Sequence, residues 1–327
     1  MSDDPTNEGM LFASFERRDE FVALQDTILA LDLTVEPTRE ENSAEFDVLR
    51  RLSLIVCMFI DDARCLIAPT IVEQLAEYQE QSYLLDPYLE DLVIPVAECL
   101  RTHARTCTSD LSVISSKTRV GRLADLLYNY IKFRGYKTIT RFFPHEIVDV
   151  TIAIDFIRLP TGPVAHPSQW TLRYVVLLWL SLVCRIPFDL DQFDEPGHKG
   201  RTASVLEATG KQYLGYAGLE REGAAVLLSR LYMRKDAKQQ LFAFLTWSTS
   251  VLQDTKQLLS VLCEFTKSGA LEESRSSTST LMEISESIGK SEALMSNTLV
   301  RKYRAKLLSR TALRLILPRT KNSRING

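Results

Sequence analysis

The stretch from Trp170 to Leu190 constrains this chain more than any other. It reads Trp-Thr-Leu-Arg-Tyr-Val-Val-Leu-Leu-Trp-Leu-Ser-Leu-Val-Cys-Arg-Ile-Pro-Phe-Asp-Leu, and from Tyr174 to Cys184 only Ser181 is polar. A helix that is apolar on every side must be surrounded by protein or by lipid. Spanning a bilayer takes about 20 apolar residues. This run is 11 long before Arg185 and Pro187 close it, with Arg173 at its entry. The expectation is a buried helix in an all-helical protein, with no membrane span. Ser168 is placed to cap its first amides. Arg185 suits the negative end of the helix dipole, and Pro187 turns Ile186 out of helical geometry.

Helical spacing recurs on both sides. Phe21, Leu24, Ile28 and Leu31 mark one helix face within Phe15–Leu33. Phe46, Leu49, Leu52, Val56 and Phe59 mark the next, with Glu36 to Ser43 as linker between them. A more polar helix is expected over Ile71–Leu84, and another from Pro87 that Pro95 interrupts. Thr106 to Lys117 reads as loop. Val120–Arg134 presents Leu123, Leu126, Leu127, Tyr130 and Ile131 inward and ends at Gly135 in the position after the helix. Lys137–Phe143 is a short connector, and His145–Leu159 is a helix with Ile147, Val150, Ile154 and Ile157. Pro160–Pro167 is a loop. Beyond the apolar helix, an acidic connection over Asp189–Gly200 precedes helices at Ala203–Tyr216, Glu220–Met233, Ala237–Leu252 and Thr255–Lys267. The Ser-rich Gly269–Thr280 reads as flexible, and Ser296–Leu317 as the last helix. No alternating stretch bounded by turn signals suggests a sheet.

The fold class expected is all-α, an α-solenoid of HEAT or armadillo type with about 40–47 residues per repeat. A compact helical domain is the other arrangement of the same pattern. Residues 1–45 read as an acidic N-terminal helix and linker capping the first repeat, 46–319 as the repeat region, and 320–327 as an unstructured tail. Charge is unevenly spread. Residues 1–100 hold 22 acidic and 6 basic residues, and 101–327 hold 20 acidic and 33 basic, within a net charge of -3. Two partner surfaces of opposite sign would produce this, and so would a solvated acidic end followed by basic helices.

Little in the sequence carries chemistry. The six cysteines include no Cys-x-x-Cys pair, and several lie in apolar helical runs. That suits a reducing compartment, and the acidic N-terminus lacks the regions of a signal peptide, so a cytoplasmic protein is expected. His103, His145, His166 and His198 stand in no metal-ligand spacing. His145 and Glu146 follow Pro144 at a helix start, where capping is the natural role. Asp61-Asp62 reads as a solvated turn. Neither a phosphate-binding glycine loop nor a Gly-x-Ser-x-Gly elbow is present. No catalytic, cofactor-binding or metal residue is nominated, and no cofactor is expected. An enzyme working through scattered residues would have no candidate among them.

The strongest surface signal is the terminal helix. Arg301, Lys302, Arg304, Lys306, Arg310, Arg314, Arg319, Lys321 and Arg324 accompany an apolar side of Leu299, Tyr303, Leu307, Leu308 and Leu315. Basic amphipathic helices dock on acidic membranes, nucleic acid or acidic proteins, or are packed helices with a solvated side. Tyr303 is the only aromatic in this helix, too few for base stacking, so an acidic protein is the expected partner and nucleic acid is not.

Specific strings add to this. Lys137-Thr-Ile-Thr-Arg-Phe-Phe-Pro-His-Glu146, preceded by Arg134-Gly135-Tyr136, resembles a segment of the tubulin-folding cofactor D (tubulin-specific chaperone D) family. Trp170, Thr171, Arg173, Tyr174 and Leu177-Leu178-Trp179-Leu180-Ser181 look like its next helix, continued by Ile186-Pro187-Phe188-Asp189. The resemblance runs on through Gly218-Leu219-Glu220-Arg221 and Ala224–Leu231. It extends to Leu299-Val300-Arg301-Lys302, Lys306-Leu307-Leu308 and Leu317-Pro318-Arg319. Arg185 and the Ser-rich 269–280 segment depart from the family pattern.

This resemblance covers most of Phe46 to Arg319 and concerns the N-terminal part of a family whose members are several times longer. It implies a fragment, a short gene model or a truncated product. It further implies a chaperone scaffold that captures β-tubulin, works with other tubulin-folding cofactors and an Arf-like small GTPase, and stimulates GTP hydrolysis by tubulin. Such a protein would be cytoplasmic and microtubule-associated. A general HEAT adaptor without tubulin specificity is the alternative. No residue is singled out as touching any partner. A solenoid cut between repeats exposes an apolar face, so aggregation, or dimerisation through the C-terminal end, is expected.

Overall fold

The computed structural model describes residues 15, 17–57, 82–165, 168–250, 255–268 and 275–316. Asp61-Asp62, Cys65, His166, residues 71–81 of the helix expected over Ile71–Leu84, and residues 269–274 and 317–327 lie outside the described residues. Every regular element among the described residues is a helix or a 3-10 turn, so the fold is all-α as expected. The chain forms two compact units, Met1–Trp179 and Leu180–Gly327.

In the first unit α1 (Arg18–Leu29) packs on α2 (Arg39–Cys57), and a 3-10 turn (Ser82–Tyr88) leads into α3 (Leu89–Ser109). Then come α4 (Lys117–Arg134), the single turn α5 (Tyr136–Ile139) and α6 (Asp149–Arg158). Helix α4 lies against α2 and α3, and α3 against α6. Phe21, Ile28, Leu52, Val96, Leu123, Leu127, Tyr130 and Phe156 fill the core. The helix starts are written in local chemistry. The Thr38 hydroxyl accepts from the Glu41 amide at 3.3 Å, and the Glu41 carboxylate accepts from the Thr38 amide at 2.8 Å. This reciprocal capping box starts α2 within the stretch expected to be linker. Ser116 caps α4 by accepting from the Arg119 amide, and Gly135, with φ 79°, ends it.

Helix α7 (Trp170–Val183) passes from the first unit into the second. Leu172 and Tyr174–Leu180 are buried, as are Arg173 and Ser181. The helix is thus enclosed by protein, as its sequence requires. Its first helical bond runs from the Arg173 amide to the Gln169 carbonyl, so Gln169 and not Ser168 holds the capping position. Trp179 is 2% exposed and its indole N–H donates to the Pro144 carbonyl at 2.7 Å. Tyr128 of α4 meets the rings of Trp170 and Tyr174 edge-on.

The second unit continues with α8 (Arg201–Leu214), α9 (Leu219–Tyr232), α10 (Lys238–Ser250), α11 (Thr255–Ser268), α12 (Thr278–Lys290), the turn α13 (Glu292–Met295) and α14 (Thr298–Leu315). Helix α9 is the centre, packed between α8 and α11, and α14 lies on α11 and α12. Asp194 starts α8, because its carboxylate accepts from the amides of Gly200, Arg201 and Thr202. Burial alone would raise its pKa, but these bonds hold the carboxyl below its usual range. Gly218 precedes α9 at φ 74°.

Several expectations are corrected. Helix α3 runs through Pro95, which sits on the exposed face. There the Asp91 carbonyl that it strands can take water. The same helix continues to Ser109 because Cys107 is buried and the Thr106 and Thr108 hydroxyls bond back to carbonyls four residues earlier. Helix α6 begins at Asp149, four residues later than expected, and leaves Ile147 exposed. On α2 the inward stripe is Glu45, Leu49 and Leu52, while Phe46 is exposed. Helix α12 is not among the expected helices; it takes in the last three residues of the Ser-rich Gly269–Thr280 and buries Leu281, Ile284 and Ile288.

A close approach of two helices supplies a test. A Cβ on Gly210 of α8 would lie 2.6 Å from the buried Leu228 side chain of α9. Overpacking costs about 1–3 kcal/mol, against about 1 kcal/mol gained from helix propensity. Gly210→Ala should therefore lower the urea midpoint. An increase would show that α9 shifts freely.

Candidate protein-interaction sites

The basic terminal helix, α14, is not the free surface that its composition suggests. A helix leaves its last four carbonyls without partners, and cations favour that end. Arg314 donates to the Thr266 and Lys267 carbonyls, both at 2.9 Å, and Arg310 to the Cys263 carbonyl at 2.6 Å. The two lie one turn apart on α14, with Arg314 on the last turn of α11 and Arg310 one turn before it. Arg304 donates to the Ser285 carbonyl at 2.8 Å. The cations left on the exposed side are Arg301, Lys302 and Lys306, and Lys306 lies over the Tyr303 ring. Leu307 is buried, as expected, whereas Leu315 is 55% exposed.

Some carboxylates are likewise committed to pairs within the chain. Glu45 is 8% exposed between two α4 arginines, Arg119 at 2.9 Å and the closely paired Arg122. Arg119 also donates to the Asp32 carbonyl, and Arg122 to that of Asn42. Glu146 pairs with Arg101, which also donates to the fully buried Asp149 at 2.7 Å. Glu146 is therefore held in an ion-pair network and does not sit on a helix dipole.

The candidate chemical residues stand apart. His103 is buried, with Nε2 at 2.9 Å from the Ser115 hydroxyl and 3.4 Å from the Cys107 sulfur. His145 Nδ1 lies 2.9 Å from the Phe143 carbonyl, and His198 is exposed. Burial pushes the Cys184 and Cys263 thiols up to about 12, which keeps them protonated and unreactive near neutrality. Among the described residues no group of His, Cys, Asp and Glu could hold a metal ion. No helix of the described residues is long and apolar enough to cross a membrane.

An open depression of about 350 Å³ lies in the second unit, where α7 and α9 both arrive by their C-terminal ends. Its walls include Arg185, Ile186, Pro187, Asp189, Arg230, Met233, Arg234, Lys235 and Asp236. Arg234 donates to the carbonyls of Cys184, Ile186 and Phe188 at 2.8, 3.1 and 2.6 Å. It also makes a two-point pair with Asp236, at 2.8 Å for each bond. Asp236 in turn accepts from the Leu190 amide. Nothing in the sequence singled out this clamp, because Arg234 and Asp236 lie about 50 residues from the loop they hold.

Comparison with known proteins places this helical array. Residues 75–252 match the family described as "Tubulin-specific chaperone D-like, ARM repeat". The chain belongs to this family. Tubulin-folding cofactor D of Schizosaccharomyces pombe is 26% identical over 200 residues, which cover 61% of this chain and 17% of that protein. Tubulin-specific chaperone D of Dictyostelium discoideum is 21% identical over 270 residues, covering 56% of this chain and 18% of that protein. The match therefore spans less than a fifth of either relative's length. No solved structure matches the chain.

Within the tubulin-specific chaperone D-like region, the recognisable strings shape the fold. Arg134 pairs with Asp86, Gly135 turns the chain at positive φ, and Pro144 receives the Trp179 indole. Arg221 holds the Tyr216 carbonyl at 3.0 Å before α9. The strings at 299–302, 306–308 and 317–319 lie beyond the matched residues.

His103 offers a pH test of this structural assignment. Burial pushes its pKa down from 6.5 to about 4. Above pH 6.5 it is neutral in both folded and unfolded chains. As pH falls from 6.5 to about 4, the unfolded chain takes a proton that the folded one refuses, and stability is lost. The loss reaches roughly 3 kcal/mol at the foot of that window. His103→Gln should lose less stability than the parent between pH 7 and 4.5 in urea titrations. Equal losses would refute the assignment.

Proposed function

We propose that this chain is part of a tubulin-chaperone scaffold that captures β-tubulin for assembly or disassembly of the α/β-tubulin dimer. Other tubulin-folding cofactors and an Arf-like small GTPase are its expected companions, and with them it stimulates GTP hydrolysis by tubulin. The observation that carries this reading is the family match across residues 75–252, supported by two relatives named for tubulin folding. The geometry is compatible with it. A packed helical array holds its loops and polar faces rigidly, which suits capture of a protein partner, and no constellation of reactive groups among the described residues suggests covalent chemistry.

Charge suggests how a partner is drawn in. Arg301, Lys302 and Lys306 are exposed and can attract an acidic surface, an effect seen mainly in association rate and screened by salt. Purified chain on a biosensor should bind β-tubulin saturably. Arg301→Glu combined with Lys302→Glu should slow association roughly tenfold at low salt with little change in dissociation. Absence of binding by a folded, monodisperse sample would overturn capture by this part of the scaffold. Unchanged association would remove α14 from it.

A further inference from the structure

The second half of α2 reads Leu49-Arg50-Arg51-Leu52-Ser53-Leu54. Two arginines stand three and two positions ahead of a serine, and an apolar residue follows it directly. Serine kinases select substrates by such charge patterns, and this is the pattern of an arginine-directed kinase. Two adjacent arginines followed at this spacing by serine occur once in the chain. Folding withholds the serine. Leu52 and Ile55 are buried, and Ser53 is half-buried, its hydroxyl accepting from the Asn129 side-chain amide of α4 at 2.7 Å. A kinase cleft takes an extended segment, so these turns of α2 must open first.

The two halves of α2 are held unequally. The first has the Thr38–Glu41 capping box and the buried Glu45 between Arg119 and Arg122. In the second, among the described side chains, the polar ties are the Asn129–Ser53 bond and the pair of Arg51 with Glu20 at 3.0 Å. That pair is largely exposed, and such pairs contribute little. Arg50 is exposed as well. Proteins open locally where their ties are fewest, which in α2 is the half that carries Ser53.

We propose that Ser53 is a phosphorylation site for an arginine-directed serine kinase, used while the last turns of α2 are open, and that the phosphate keeps α2 from docking again on α4. In the reaction the Ser53 oxygen attacks the γ-phosphorus of ATP and the bond to the ADP oxygen breaks. The serine proton passes to the kinase's catalytic carboxylate. The product carries close to two negative charges near neutrality. It stands towards the C-terminal end of α2, where the helix dipole is negative. It also replaces a neutral hydroxyl in a half-buried seam, in place of the bond from Asn129. Both effects oppose closing. Arg50, one turn earlier, offsets them only at the exposed surface. The inference goes beyond the tubulin reading and does not rest on it.

The test uses the full chain, ATP and the catalytic subunit of cyclic-AMP-dependent protein kinase, with phosphate located by mass spectrometry. Ser53 should be labelled slowly in the parent. Labelling should be roughly fivefold faster in Asn129→Ala, because losing one hydrogen bond raises the open population that the kinase reads. Glu20→Gln, which loosens only the outer pair, should speed it by a smaller factor and serves if Asn129→Ala does not fold. The Arg50→Gln, Arg51→Gln double variant should abolish labelling, although it too releases Glu20. Amide exchange over residues 50–57 should quicken once Ser53 is phosphorylated. No phosphate on Ser53 in the parent or in either loosened variant would overturn the site. So would labelling that survives the loss of both arginines. Unchanged exchange in the phosphorylated chain would overturn the block on docking.

Discussion

Helix ends raise a common difficulty, because the last carbonyls have no partner within the helix. At the ends of α7 and α11, and at carbonyls of nearby loops and turns, this chain meets that constraint with arginine. Arg234 takes the carbonyls after α7. Arg314 takes those of Thr266 and Lys267 at the end of α11, and Arg310 takes that of Cys263 one turn earlier. Arg173 takes Pro163, and Arg221 takes Tyr216 ahead of α9. A guanidinium suits the task because its five donors fan out in a plane and stay charged at any ordinary pH.

This changes the meaning of the charge distribution. The basic excess of residues 101–327 invites a reading as one large docking surface. Part of it is internal, as with Arg119, Arg122 and Arg173, and so is Glu45 of the acidic first hundred residues. Other cations among the described residues stay exposed, including Arg301, Lys302 and Lys306 on the outer face of α14 and Lys132, Lys137, Arg158, Lys211 and Lys238 elsewhere. Charge by itself therefore does not mark a single docking face.

The family strings belong to the same economy of structure. Pro144 with Trp179, Gly135 at its positive φ, and Gly218 before α9 are positions where one residue type meets a steric or hydrogen-bonding demand. They identify the scaffold, while contact with partners falls to exposed side chains that folding does not constrain. Such positions mark the family in the sequence, whereas no local pattern marks a binding residue.

The sequence by itself determined the helices, because the apolar spacing of α4, α7 and α9 and the Thr38–Glu41 box act over single turns. It determined that α7 is buried, since a helix apolar on all sides has no stable exposed state beside water. Its own signals for α12 and for the start of α2 were legible in Leu281, Ile284, Ile288 and Thr38. Only the tertiary structure decided which charges are free. Whether Arg310 faces solvent or the Cys263 carbonyl, and whether Glu45 or Phe46 turns inward, depends on helices tens of residues away. Local periodicity cannot register such pairings, because a buried charge is stable only where a distant partner satisfies it.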